Sequence, residues 1–570
     1  MPLGDGFVLE SARLFTGTAV AERGAVETDH RSIHAPGDAI SPIPTGITAF
    51  IGRTLKGPVN EPVAVASFQQ FQQRFGGLWQ PSTLSYALEQ YFLNGGRRAV
   101  IVRVVNGARP PTLALPAGTG QLRLVGVDPG SREYLRAAVD YDGIDESEPD
   151  RFNLVVQRVR VPGSELVEDQ EILRRLSVEK GADRYVADVL AHSKLVRALG
   201  AMPRTRPDRT GSFPEGAMVR YVPSNPDGDD GGPLSDYDVI GSATKGTGLF
   251  ALPPHACDLL CIPPLSREQD VGMSTLLVAA RFCRERHAML VVDPPAEWTS
   301  VHGALEGLRS WPFRSENAIM FFPRIAAFDR VRNRHEIFAS SAAGAGLIAR
   351  ADQDCPVWAP LESEDISLRP GLRPAIELAE AERARLEHAG INALYSMRSR
   401  PSMRASPCTL ASSGTGAAGG RYLAARRLAL FILASIERGT TWLSGAPNAP
   451  PAWARASAQV EDFLGSLQAR GAFAGSRPED SYFVVCDERV NRAESIAAGR
   501  VSLLLGFATS KPGDFHACLI THEPGLSRVR PVAVNRLATS QERVEAEIET
   551  AIRDPGATAS GRSRLRPASR

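Results

Sequence analysis

Residues Arg421–Arg438 read RYLAARRLALFILASIER, and three short apolar runs follow: YFVVC at Tyr482–Cys486, VSLLLGF at Val501–Phe507 and FHACLI at Phe515–Ile520. Apolar side chains recur at helical spacing in the first segment, and a second helical pattern precedes the runs. Each run has the length and composition of a strand bounded by Asp, Asn, Gly or Pro. The order helix, helix, strand, strand, strand predicts a C-terminal α+β domain over residues 401–521.

The last of these runs ends the periodic part of the chain, because the residues after Thr521 turn polar. A strand in that position can pair with its own sheet or with the sheet of a neighbouring copy. We expect it to pair with a neighbour, which makes the sheet exchangeable between copies. The predicted inter-subunit pairing residues are Phe515, His516, Ala517, Cys518, Leu519 and Ile520.

Length and composition describe an ordinary globular chain. Its 570 residues predict three or four domains, and its net charge of +1 favours neither nucleic acid nor a membrane surface. Seven cysteines, scattered and odd in number, suit a reducing cytoplasm better than a disulfide framework. The first residues lack the pattern of a signal peptide, and no apolar run approaches the roughly 20 residues of a membrane span. We therefore expect a soluble, unexported chain without membrane contact.

Strands alternate with helices over residues 45–107 and again over 247–400, which predicts an α/β core with crossover connections. Ser67 and Gly76 bracket a predicted helix at its start and end. A later helix of small residues contains Gly344 and Gly346, which would allow it to lie close to the sheet.

The stretch Ala108–Gly246 breaks this alternation. It holds a β-type run at Phe152–Val161, a helix-like segment at Asp183–Arg197 and a long region rich in Pro, Gly and Asp. We predict a β-rich surface module inserted at 108–246. Residues 1–44 are expected to form an N-terminal arm, and residues 522–570 a C-terminal extension that is partly disordered.

The segment Gly414–Gly419 matches G-x-G-x-x-G and opens a helix, with Glu437 near the position of a ribose-binding acid. The preceding residues make a poor strand, and Glu437 lies on the helix rather than after a second strand. A flexible glycine linker is therefore the favoured interpretation.

Three other patterns carry weaker chemical signals. His255, Cys257 and Cys261 alternate along one predicted strand, but a fourth zinc ligand is missing, so a buried apolar face is favoured. The segment Asp227–Asp238 resembles a calcium loop faintly and an Asx/Gly turn better. Asp293 follows a strand where α/β enzymes place catalytic groups, but a turn-capping acid is favoured. We predict no catalytic, cofactor-binding or metal-binding residue.

Short segments spread over most of residues 45–520 match, in order, the pattern of one known protein family. The opening domain is matched by Thr45–Arg53, Gly57–Val63, Phe71–Gly77 and Tyr91–Val104, and the inserted module by Leu176-Ser177, Arg184–Val186, Asp227-Gly228 and Tyr237–Gly241. Later matches are Leu260–Pro263, Arg286–Pro295, Asn317–Arg324, Ala345–Asp352, Val357–Pro360, Arg426–Leu428, Asn448–Trp453, Phe483–Asp487, Gly499–Val501, Gly506–Ala508, Lys511-Pro512 and Phe515. As an ordered set, these segments resemble contractile phage tail sheath proteins, whose family includes the sheaths of phage-tail-like injection systems.

The resemblance implies a structural subunit without enzymatic activity. Sheath subunits stack as hexameric rings into a helical sleeve around an inner tube, and terminal arms tie neighbouring subunits together. The implied partners are further copies of this chain, the tube protein, and baseplate and cap proteins, in a particle assembled in the bacterial cytoplasm.

Three departures leave alternatives open. Gly4–Ser41 is unlike the family's N-terminal arm, and Ser406–Leu410 replaces a segment that contains tryptophan. The chain also continues over residues 522–570, beyond the last predicted strand. A specialised paralogue near the baseplate or cap fits this pattern. The competing interpretations are an α/β enzyme, acting through Gly414–Gly419 or Asp293, and a monomeric surface-binding module built on the insertion.

Overall fold

The structure, a computed structural model, describes residues 39–210, 220–360, 367–397, 400–403, 406–411 and 420–532. All elements named below belong to one unit that begins at Ile40. Ser67 accepts an N–H bond at the first predicted helix and left-handed Gly76 ends that helix, as expected. The unit starts with β1 (Ile47–Gly52), β2 (Val63–Val65), α1 (Phe68–Phe75), α2 (Thr83–Leu93) and β3 (Arg98–Arg103).

The segment after β3 forms two antiparallel sheets. Its elements are β4 (Thr112–Ala117), β5 (Gly120–Gly126), β6 (Tyr134–Asp140), β7 (Arg151–Val159), β8 (Val167–Ser177), α3 (Val186–Leu190), β9 (Val196–Ala198), β10 (Val222–Pro223) and α4 (Asp236–Ile240). The strand orders are β10-β6-β7-β8 and β4-β5-β9, and the two sheets share a hydrophobic core.

The prediction of a helix over Asp183–Arg197 is wrong for the second half of that stretch. Helix α3 is five residues long, and the chain then extends to pair β9 with β5. The Glu171 carboxylate accepts bonds from the Ser193 hydroxyl and the Lys194 N–H, which holds the backbone in this turn. A tertiary contact thus overrides the local helical pattern.

The α/β alternation then resumes, as predicted. The elements are a 3-10 turn (Gly248–Ala251), β11 (Leu259–Cys261), α5 (Met273–Glu285), β12 (Met289–Val292), α6 (Val301–Ser310), β13 (Ala318–Phe322), β14 (Ile325–Asp329), β15 (Arg334–Phe338), α7 (Ser341–Asp354), β16 (Arg373–Pro374), α8 (Glu380–His388), β17 (Asn392–Ala393), β18 (Tyr395–Met397) and β19 (Arg400–Ser402). The central sheet has the order β17-β13-β12-β11-β1-β3-β2, and β2 is its antiparallel edge strand.

Both faces of the central sheet are buried, which explains the nearly continuous apolar strands. Ala49 and Ile51 of β1 pack into the cluster on one face, together with α5 and α6. Phe50, between them, packs into the cluster on the opposite face with α1, α2 and α7. In the part of the chain that the structure describes, helices long and apolar enough to cross a membrane are absent.

The end of the stretch predicted as an insertion packs with the core. Leu234 and Val239 lie in the same cluster as β1 and β11. The Asp236 carboxylate accepts bonds from the Gly272 N–H at 2.9 Å and the Thr275 hydroxyl at 2.5 Å, at the start of α5. We therefore propose that the separate β-rich module ends near β10 rather than at residue 246.

The C-terminal elements are α9 (Leu423–Gly439), a 3-10 turn (Thr441–Gly445), α10 (Pro450–Ala469), α11 (Pro478–Ser481), β20 (Tyr482–Val485), α12 (Ala493–Ala497), β21 (Val501–Ala508), β22 (Phe515–Glu523) and β23 (Leu526–Val532). The four strands form one antiparallel sheet in the order β20-β21-β22-β23. The two helices and the first three strands agree with the sequence analysis. Strand β23 was not predicted.

Helix α7 approaches the sheet and α2 closely, as its glycines predicted. A Cβ atom on Gly346 would lie 2.4 Å from the Tyr91 carbonyl oxygen, and one on Gly344 would lie 2.2 Å from the Phe321 ring. Real Cβ atoms do not approach other atoms this closely, so a side chain at either position would push α7 away.

We expect Gly346→Ala to lower the free energy of unfolding by about 1–3 kcal/mol, because the methyl group meets backbone. Gly465→Ala in α10 is the matched control, since its nearest neighbour would be the Tyr482 hydroxyl at an ordinary 3.4 Å. The control should be neutral or stabilising by up to about 1 kcal/mol through helix propensity. Denaturant titration of both variants measures the difference, and equal stability would contradict the close approach.

Candidate assembly interface

The C-terminal sheet packs one face on α9 and α10. The apolar cluster between them contains alternate residues of β21 and β22, with helix residues such as Ile432 and Phe463. The opposite face carries a smaller cluster of Val485, Leu504 and Leu519. Strand β21 is buried along its whole length because it lies inside the sheet with apolar groups on both faces.

The predicted pairing residues Phe515–Ile520 lie in β22, inside this sheet. Strand β22 pairs with β21 on one side, where Ile520 faces Leu503, and with β23 on the other, where Ile520 faces Val529. The expectation that Phe515–Ile520 is the last strand is therefore wrong. The chain reverses at Pro524-Gly525, where Gly525 has a φ of +76°, and returns as β23.

Strand β23 escaped the sequence analysis because its apolar residues are few. It reads LSRVRPV, and only Val529 and Val532 pack against the two clusters of the sheet. Arg528, Arg530 and Pro531 are residue types that protect an edge strand from unwanted pairing. The turn signal at Pro524-Gly525 before an alternating run could have found this hairpin.

The sheet has two outer edges among the described residues, one along β20 and one along β23. Strand β20 is only four residues long, whereas β23 has seven. An edge strand presents unpaired N–H and C=O groups to whatever comes next. The longer edge, β23, belongs to the β22–β23 hairpin, whose turn contains Pro524 and Gly525.

Helix α9 is held to the central core by a buried arginine. The Arg427 guanidinium donates to both carboxylate oxygens of Asp352 in α7, at 2.7 and 2.5 Å, and to Asp258 before β11 at 2.6 Å. Burial alone would lower the pKa of Arg427, but the two carboxylates outweigh it and raise that pKa. The Asp258 carboxylate also accepts the Ile47 N–H at the start of β1, so one cluster joins three parts of the core to α9.

The next residue extends this junction. The Arg426 side chain donates to the Asn317 side-chain oxygen at 2.9 and 2.5 Å and lies 2.9 Å from Glu316. Asn317 precedes β13 and also donates to the Ala288 carbonyl before β12. Arg426 and Arg427 belong to the segments that resemble sheath proteins, and they lie where α9 meets the central core.

Histidines surround Glu437 at the same junction. The His287 Nε2 atom lies 2.9 Å from the Glu437 carboxylate. The His522 Nε2–H of β22 donates to the Thr440 hydroxyl at 2.8 Å, because that hydroxyl itself donates to the Ile436 carbonyl. The His522 Nδ1 atom then accepts from the Ser527 hydroxyl of β23 at 2.8 Å, so a neutral histidine ties the two strands of the hairpin together.

Burial in this group opposes positive charge on the histidines. It lowers the pKa of His255 and lowers that of His522 to about 4, against the attraction of Glu437. Burial would raise the pKa of Glu437, but the His287 hydrogen bond and the surrounding histidines lower it overall. Arg286 and Arg438 also face His255 and further disfavour its protonation.

The residues considered for zinc do not share a face. Only Cys261 lies in β11, where it is buried against one face of the sheet, whereas Cys257 packs toward the other. His255 has a left-handed backbone in the preceding turn. The expectation of one strand face is wrong because the strand begins only at Leu259. No group of three or more metal-binding side chains is assembled within the ranges that the structure describes.

The remaining candidate motifs have structural roles or lie outside the described residues. The Asp293 carboxylate accepts the N–H and hydroxyl of Ser341 at 2.8 Å each, so it caps the start of α7, and burial raises its pKa to about 6. The Asp229 carboxylate accepts the Gly231 N–H at 2.9 Å, which confirms the Asx/Gly turn. The segment Gly414–Gly419 lies outside the described residues.

Comparison with solved structures shows which fold this is. The sheath tail protein Lin1278 of Listeria innocua matches 86% of this chain and 97% of its own, with a TM-score of 0.58 at 13% identity. The sheath of the extracellular contractile injection system PVC, in its contracted state, covers 92% of this chain and 100% of its own, with a TM-score of 0.48 at 15% identity. No family model and no curated protein sequence matches this chain. The resemblance to sheath proteins is confirmed as a likeness of fold.

Removing the buried guanidinium should destabilise the junction strongly. Arg427→Met leaves the Asp258 and Asp352 carboxylates buried without their cation, which costs about 3–5 kcal/mol of unfolding free energy. Arg385→Met, on an exposed position of α8, should change it by less than about 0.5 kcal/mol. Denaturant titration compares them, and similar values for both variants would contradict a structural role for Arg427.

Stability should fall as the pH drops from about 6.5 to 4. The folded pKa of His522 is lowered to about 4, so its contribution is present above the unfolded pKa of about 6.5 and is lost toward pH 4. The lowered pKa of Glu437 acts in the same direction at the acid end. His522→Gln, which cannot titrate, should give a shallower fall of Tm with pH than the native chain. His302→Gln, on an exposed position of α6, is the control and should leave the slope unchanged.

Proposed function

We propose that this chain is the structural subunit of a contractile tail sheath. The observation that carries the proposal is the sheath-protein fold, which extends over most of the chain. Copies would stack as hexameric rings into a helical sleeve around an inner tube, and contraction of the sleeve would drive the tube through a target envelope. The partners would be other copies, the tube protein, and baseplate and cap proteins, with assembly in the bacterial cytoplasm.

The C-terminal sheet supplies a joint for such an assembly. We propose that β23 of one copy can leave its own β22 and pair with Ala517–Glu523 of a neighbour's β22. This stretch includes Ala517–Ile520 of the predicted pairing residues, whereas Phe515 and His516 face β21. The exchanged strand would make the same main-chain hydrogen bonds as before, so the exchange costs little beyond the ordering of the turn. In the β22–β23 pair, Ala517 faces Val532 at one end and Glu523 faces Leu526 at the other. A pair of this length offers several main-chain hydrogen bonds, each worth about 1 kcal/mol net.

This joint also fits a sleeve that changes length. A strand pairing survives rotation of the two subunits when the linker that leads to it can bend. Pro524-Gly525 is the turn that would open, and the His522–Ser527 hydrogen bond is the side-chain contact that would break and re-form between copies. The α9 junction would meanwhile keep each C-terminal sheet fixed to its own core.

The proposal covers a main sheath protein and a specialised paralogue near the baseplate or cap. Electron microscopy of assembled particles distinguishes them, because a main subunit repeats along the sleeve and a paralogue occupies its end. Purified protein that forms sleeves or rings supports the proposal. A monomer that stays monomeric at high concentration and is stabilised by a nucleotide would support the enzyme instead.

Locking the hairpin should stop sleeve formation. Thr521 and Arg528 are direct partners in the β22–β23 register, and facing residues of an antiparallel pair lie about 4.5–5.5 Å apart, within disulfide reach. The oxidised Thr521→Cys/Arg528→Cys variant should stay unassembled, because β23 cannot leave its own sheet.

The same variant under reduction, and the single variant Thr521→Cys, are the matched controls and should form sleeves that electron microscopy can count. Normal sleeves from the oxidised double variant would show that β23 remains in its own chain and that other contacts join the copies.

A further inference from the structure

A polar groove lies at the seam between the central core and the β-rich module. It has a volume of about 400 Å³ and is bounded by α1 and the β1–β2 loop on one side and by the start of β6 and the β7–β8 turn on the other. Its charged lining consists of three cations and one anion: Lys56, Arg132, Arg160 and Glu168. The volume is within the ~300–1,000 Å³ of binding clefts, and the net charge favours an anionic partner.

The cations of the groove are only partly neutralised. Lys56 forms an ion pair with Glu168, and the Arg160 Nε atom lies 3.5 Å from the same carboxylate while its side chain is 57% exposed. Among the described residues, Arg132 is exposed and has no ion-pair partner. Gln72 and Gln73 of α1 are also exposed in the groove. Their side-chain amide groups can donate hydrogen bonds to a carboxylate.

An acidic tip lies at the other end of the same sheet. The β6–β7 loop reads YDGIDESEPD over residues 141–150. At its base, Arg175 pairs with Glu148, and Arg209 lies 3.4 Å from Asp142. Asp145 and Glu146 at the tip are exposed and have no ion-pair partner among the described residues. The tip therefore carries two uncompensated negative charges.

The groove and the tip cannot meet within one chain. In the β6–β7 pair, Tyr134 faces Val159 beside the groove, and Asp140 faces Asn153 beside the tip. Six steps of about 3.3 Å place the two ends roughly 20 Å apart along a paired sheet. A contact between them thus needs two copies, and joining the two different ends is a head-to-tail contact that can repeat from one copy to the next.

We propose that the acidic tip of one copy docks in the basic groove of the next, with Asp145 and Glu146 opposite Arg132 and Arg160. This inference rests on the proposed function, because it adds a contact between copies of the same assembly. The contact joins the β-rich modules and is independent of the strand exchange in the C-terminal sheet. As a contact between exposed charges, it weakens as salt rises.

Charge reversal tests the contact. The groove variant Arg132→Glu/Arg160→Glu makes the groove acidic like the native tip. The tip variant Asp145→Lys/Glu146→Lys makes the tip basic like the native groove. We expect each alone to need about tenfold more protein to assemble than the native chain. An equimolar mixture should recover native assembly, because every groove then meets a tip of opposite charge. Arg132→Lys/Arg160→Lys keeps the charge and should behave as the native chain.

Sedimentation and electron microscopy give the readout, with circular dichroism to show that each variant is folded. Native assembly of either reversed variant alone, or a mixture no larger than its separate components, would overturn the contact. The sheath proposal fails separately if the native chain forms no sleeve or ring at any concentration. In that event the mixture still decides the contact, since larger species in the mixture than in either component support it.

Discussion

The guanidinium of Arg427 is the interaction on which the position of α9 against the central sheet depends. It joins α9 to the end of α7 and to the loop before β11, and its partner Asp258 also holds the start of β1. Burying three charges costs more free energy than apolar packing of the same volume would, so the cluster is a poor source of stability. Its geometry, however, admits one position of α9 on the core, because any shift would leave a buried charge without its partner. We infer that the cluster serves specificity of packing.

A second buried arginine has the same role at the other seam. Arg103, at the end of β3, donates to the Gly57 carbonyl and to the Pro129 carbonyl at 2.9 Å, and burial lowers its pKa to about 10. It therefore joins the end of β3 to the β1–β2 loop of the core and to the β5–β6 loop of the β-rich segment. The two seams are polar and directional, whereas the two faces of the central sheet are apolar. Such a division fixes the orientation of the elements on either side of each seam.

The hairpin β22–β23 contrasts with these fixed junctions. Its strands are joined mainly by main-chain hydrogen bonds, a few apolar contacts of Val529 and Val532, and the His522–Ser527 bond. Main-chain pairing thus dominates this hairpin, whereas buried charges hold α9 and β3 at the two seams.

Local pattern determined much of this fold. The capping residues Ser67 and Gly76 located α1, apolar spacing located α9 and α10, and apolar runs located β20, β21 and β22. Caps and periodicity depend only on neighbours along the chain, so the sequence is enough to find them. The order of short motifs indicated the sheath fold. Three features required the tertiary structure. The partners of Arg427 lie 75 and 169 residues away, the helix expected after Asp183 yields to pairing of β9 with β5, and β23 is a strand because β22 offers it an edge. Each of these depends on a surface that exists only after distant segments have packed, and no local pattern encodes it.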